Sequence, residues 1–163
     1  MQATRHAGER TGRAYQLLRK QVPGHSLHVQ QSLLAAAHKR PGQADSLLDV
    51  VRQHAKEMTP VNASTAIHLL ATKTAEDGEG SALNGQLIED AIGPLVRCIT
   101  TDANTVPCDT AIAAWAVARL QLPSSKVLLE PLAAQASRQV LQASRSSDPW
   151  MYSQGVFDHG SLE

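Results

Sequence analysis

Three stretches of the chain share one spacing of apolar and small side chains. Residues 32–39 (SLLAAAHK), 66–73 (AIHLLATK) and 111–118 (AIAAWAVA) place their larger apolar positions at i, i+3 and i+4. These are Leu33, Ala36 and Ala37, then Ile67, Leu70 and Ala71, then Ile112, Trp115 and Ala116. That spacing is one stripe of an α-helix. A second apolar helix follows each copy, so the unit is a helix pair, and pairs that cannot bury their stripe alone are expected to stack on one another. The pattern predicts an all-α fold: a short α-solenoid of stacked helix pairs, three of them, with an N-terminal helix and an extended C-terminal tail.

Turn and cap residues set the expected boundaries. Residues 8–21 read as a capping helix carrying Tyr15, Leu17 and Leu18, ended by Val22-Pro23-Gly24. Ser26 is the expected N-cap of a helix over 27–39, which Pro41-Gly42 terminates, and Asp45 the cap of its partner, with Leu48, Val51, Ala55 and Met58 on one face. Thr59-Pro60 opens the second unit, with Pro where a missing N–H costs nothing, and its first helix is expected to run to Lys73. Residues 74–85 (TAEDGEGSALNG) are acidic, Gly-rich and aperiodic, and read as a loop at which the array could flex. Leu87, Ala91, Leu95 and Ile99 share a face of the next helix. Val106-Pro107 opens the third unit, with helices expected over 109–120 and 125–143 around a tight turn at Leu122-Pro123-Ser124. Pro94 and Pro131 either kink the second helices or mark their first turns. The chain thus divides into a basic arm (1–21), a repeat domain (22–144) and an aromatic tail (145–163).

Composition narrows the core. Apolar residues make up 42% of the 163 residues and aromatics only 3%, which calls for closely packed helices rich in Ala, Leu, Val and Ile. No staple is needed at this length. Net charge is zero but unevenly spread: residues 1–40 hold seven basic side chains against Glu9 alone. Such a region suits an anionic partner, or it is a solvated face or the remnant of an organellar targeting sequence, whose composition it shares. The longest apolar run, 112–118, is too short to span a bilayer.

No catalytic constellation is legible. Ser, His and Asp residues occur without a nucleophile turn or a phosphate-cradling glycine loop, so no enzyme and no cofactor is expected. His25, His28, His38, His54 and His68 match no metal-ligand spacing, and no metal site is expected. Cys98 and Cys108 flank turn signals and are read as reduced thiols, with a disulfide across the inter-repeat turn as the alternative. The tail carries Trp150, Tyr152 and Phe157, which either anchor a protein partner or fold back over the last repeat.

The phrases TPVNASTAIHLLATKTA (59–75) and TVPCDTAIAAWAVARLQL (105–122) each set Pro shortly before an Ala-rich helix, and Ala114–Leu120 carries an Ala-Trp-Ala segment. They resemble the octotricopeptide and heptatricopeptide repeat proteins, over residues 22–144. That resemblance implies an α-solenoid working in a mitochondrion or plastid. Two functions follow as expectations. One is a non-catalytic scaffold, a structural or accessory subunit docked into a larger organellar complex by its concave surface and by Trp150, Tyr152 and Phe157. The other is an organellar RNA-binding protein, a ribosomal or RNA-processing component that holds phosphates with Arg13, Arg19, Lys20, Lys39 and Arg40.

Overall fold

The computed structural model describes residues 24–38, 44–77 and 85–146. They form six helices: α1 (Gly24–Ala37), α2 (Ala44–His54), α3 (Pro60–Asp77), α4 (Gly85–Thr101), α5 (Pro107–Leu120) and α6 (Ser125–Ser146). No strand occurs among the described residues, and the fold is all-α.

Neighbour relations among the helices are regular. Within each pair α1 packs on α2, α3 on α4 and α5 on α6. The first helices form one row, with α3 between α1 and α5, and the second helices another, with α4 between α2 and α6. Each new first helix also touches the second helix before it: α3 meets α2, and α5 meets α4. Among the described helices α1 and α5 do not touch, nor do α2 and α6.

The core runs between the rows. Leu33, Ile67, Leu70, Ile92, Ile99, Ala113 and Val117 are fully buried, and removal of such apolar surface from water is the main stabilising contribution, about 25 cal/mol per Å². Two of the expected stripes are buried as read: Leu33/Ala36/Ala37 and Ile67/Leu70/Ala71. The third is one residue out of register. Ala113, Ala116 and Val117 face the core, while Ile112 is half-buried and Trp115 stays 48% exposed. One residue is a rotation of about 100° on a helix, and the small Ala113 permits the close approach of α5 to α3 that a Trp would block.

Other boundaries also move. Ser26 is not a cap, because α1 begins at Gly24 and the buried Ser26 hydroxyl donates to Asn62 on α3 (2.8 Å). Asp45 lies within the first turn of α2 rather than before it. α2 stops at His54, leaving Ala55 exposed, although Met58 is buried after the turn. α3 continues through Asp77, four residues into the segment read as a loop, and Thr74 bonds back to the Leu70 carbonyl (2.8 Å). Pro94 and Pro131 lie inside α4 and α6, neither in a first turn. The turn at 121–124 is present, with Gln121 closing α5 in a left-handed conformation (φ 50°).

Candidate binding face

A polar seam joins the first-row helices. Asn62, third residue of α3, is fully buried and uses its whole carboxamide. Its Oδ1 accepts from Ser26 Oγ (2.8 Å), from Thr59 Oγ1 (3.0 Å) and from the Thr59 backbone N–H (3.3 Å). Its Nδ2 donates to the Ser26 carbonyl (3.1 Å) and to Gln30 Oε1 (2.8 Å). The bond to the Thr59 N–H is the reach-back of a capping box, here made by Asn at the third helical position. Asp109, third residue of α5, is held in the same manner from α3: Ser64 Oγ donates to its Oδ1 (3.0 Å). Burial pushes the Asp109 carboxyl above its usual range, and the Ser64 and Val106 hydrogen bonds pull it part of the way back.

On the exposed side of the same row, α3 and α5 present an aromatic and cationic cluster. The His68 ring lies 5.2 Å from the Trp115 ring, tilted by 34°. The Arg119 guanidinium carbon sits 5.4 Å from the Trp115 ring centre, one helical turn along α5. A depression of about 300 Å³ is lined by His68, Ala111, Ile112 and Trp115. Stacking on both His68 and Arg119 limits the rotamers of Trp115, so a large amphipathic side chain is held ready at low entropic cost.

The sequence reading missed this cluster because it assigned Trp115 to the buried stripe. Two signals were present: the i, i+4 pair Trp115/Arg119, and the alternative small stripe Ala113/Ala116/Val117. Arg13, Arg19, Lys20, Lys39, Arg40, Trp150, Tyr152 and Phe157 all fall outside the described residues.

Cys98 and Cys108 are free thiols. Cys98 is half-buried and donates to the Met58 carbonyl (3.3 Å), whereas Cys108 is exposed. His28 and His54 meet edge to face at 5.7 Å. No cluster of three or more His, Cys, Asp or Glu side chains suited to a metal occurs among the described residues. None of the described helices is long and apolar enough to cross a membrane. Comparison with protein-family models, curated proteins and solved structures finds no match for this chain.

Proposed function

We propose that this chain is a non-catalytic helical-repeat scaffold of α-solenoid type, a structural or accessory subunit docked into a larger organellar protein assembly through the exposed side of its first helix row. The observation that carries this reading is Trp115, half-exposed and braced by His68 and Arg119 beside an apolar depression. Braced aromatic and Arg side chains of this kind supply most of the binding energy at protein interfaces. The two-row packing, in which each pair touches only its neighbours, supports the repeat reading; the resemblance to octotricopeptide and heptatricopeptide proteins rests on residues 59–75 and 105–122 alone. Placement in a mitochondrion or plastid rests on that resemblance and on the Arg-rich, acid-poor first 40 residues.

A second reading draws on the same cluster, since Trp, His and Arg also stack on unpaired bases. Electrostatics favours the protein partner. The described residues hold eight basic against ten acidic side chains, whereas a polyanion is held by several cations on one face. RNA binding therefore falls to Arg13, Arg19, Lys20, Lys39 and Arg40. Capture of the tagged chain from organelle extract, with and without ribonuclease, separates the two. A ribonuclease-resistant set of subunits is expected, and partners lost on ribonuclease treatment would establish the RNA reading instead.

A further inference from the structure

The second helix row is open at α6. This helix packs on α4 and α5 and on no further helix among the described residues, and one face of its 22 residues stays in water. Val127, Ala134 and Leu141 recur along that face at intervals of seven, with Glu130, Ser137 and Arg138 beside them, and all six are exposed. Val127 is 70% and Leu141 60% exposed, and Val140, 66% exposed, flanks them. A seven-residue interval returns to the same side of a helix, which is how one helix packs along another.

The face is complementary to its own reverse. When two α6 helices lie antiparallel with Ala134 facing Ala134, each residue stands level with the one equally far beyond Ala134 in the other copy. Val127 then meets Leu141 and Glu130 meets Arg138, each twice, as two-fold symmetry requires. A parallel arrangement sets Glu130 against Glu130 and Arg138 against Arg138, so charge selects the antiparallel one. Glu130 and Arg138 form no ion pair among the described residues. Arg138 donates from Nε to the Gln135 Oε1 (3.1 Å) and from Nη2 to the Thr100 carbonyl (3.4 Å), which leaves its Nη1 donors for a carboxylate.

We propose that the chain pairs with a second copy of itself through α6, antiparallel about Ala134, with Val127 on Leu141 and Glu130 joined to Arg138 across the two-fold axis. Residues 125–143 of the two copies overlap, a seam about 28 Å long and one helix wide. Such a seam covers roughly 300 Å² per copy, well under the ~800 Å² per partner of stable interfaces. The dimer is therefore weak and concentration-dependent, with apolar contacts supplying affinity and the charges setting orientation. Trp115 lies on α5 and takes no part in the seam, so the dimer presents two docking faces to a partner.

Sedimentation equilibrium of the full chain should show the weight-average mass climbing from one chain towards two between about 1 and about 500 µM. Glu130→Arg and Arg138→Glu should each weaken the dimer roughly tenfold, and the double variant should restore it, with the helical circular dichroism retained throughout. Register is read in a Cys108→Ser background, which removes the exposed native thiol. There Ala134→Cys should cross-link two chains through a short bismaleimide, whereas Val127→Cys should not, because two such positions lie about 21 Å apart along the antiparallel pair. A mass of one chain across the whole range overturns the proposal. So does cross-linking at both positions, the mark of parallel pairing, or a double variant that associates no better than the single ones.

Discussion

Ser64 and Asp109 are 45 residues apart in sequence and 3.0 Å apart in space, with the Ser64 hydroxyl donating to a carboxyl oxygen buried between α3 and α5. The other oxygen of Asp109 is buried and has no hydrogen-bond partner among the described residues. A carboxyl so placed binds protons more tightly folded than unfolded. Its raised value means that it favours the folded state most at acid pH, below the unfolded carboxylate range, and that this contribution is lost as pH rises through the folded value. Asp109→Asn retains an acceptor for Ser64 and removes the titration. The urea midpoint of Asp109→Asn relative to the parent is expected to rise between acid and neutral pH. A difference independent of pH would mean that Asp109 is not protonated more readily in the folded chain.

Asn62→Ala is expected to be costly for its size. It removes an acceptor used by Ser26 and Thr59 and a donor used by Gln30. Each buried polar group left unpaired costs about 1–3 kcal/mol, so the loss in denaturant unfolding should exceed that of one group. Thr101→Ala, whose exposed hydroxyl bonds only within its own helix, should change stability by no more than about 0.5 kcal/mol. Equal effects of the two substitutions would show that the seam does not join the first-row helices.

The two thiols should react in order. Cys108 is exposed, while burial, reinforced by the nearby Asp102, pushes the Cys98 thiol up. Since the thiolate is the nucleophile, a disulfide reagent near pH 8 should modify Cys108 first and Cys98 slowly, with the Cys98 rate gaining as pH rises. Cys108→Ser isolates the slow phase. Two thiols reacting at one rate in the native chain would contradict the packing of Cys98 against Met58.

Much of the fold was legible because helical periodicity and punctuation agree. Thr59-Pro60, Val106-Pro107 and Leu122-Pro123-Ser124 fall where helices begin or turn. The Leu33 and Ile67 stripes mark core positions correctly because branched residues occupy them. The Trp115 stripe failed for the opposite reason: in an Ala-rich helix the smallest side chains go to the tightest interface, so the largest apolar residue is a poor guide to the buried face. Ser26 failed because a tertiary partner, Asn62, outcompeted its local role as a cap. The His68–Trp115–Arg119 cluster joins helices 47 residues apart in sequence at His68 and Trp115, and no single-helix pattern contains that contact.

The most direct test of the scaffold reading is capture of partner subunits from ribonuclease-treated organelle extract by the parent chain and by Trp115→Ala. Truncating a braced interface aromatic is expected to cost about 2 kcal/mol or more, roughly thirtyfold in affinity, while thermal stability stays close to that of the parent because Trp115 is half-exposed. Loss of capture with an unchanged unfolding transition is the predicted result. Capture that survives Trp115→Ala undiminished would contradict the assignment of the α3/α5 face as the docking surface.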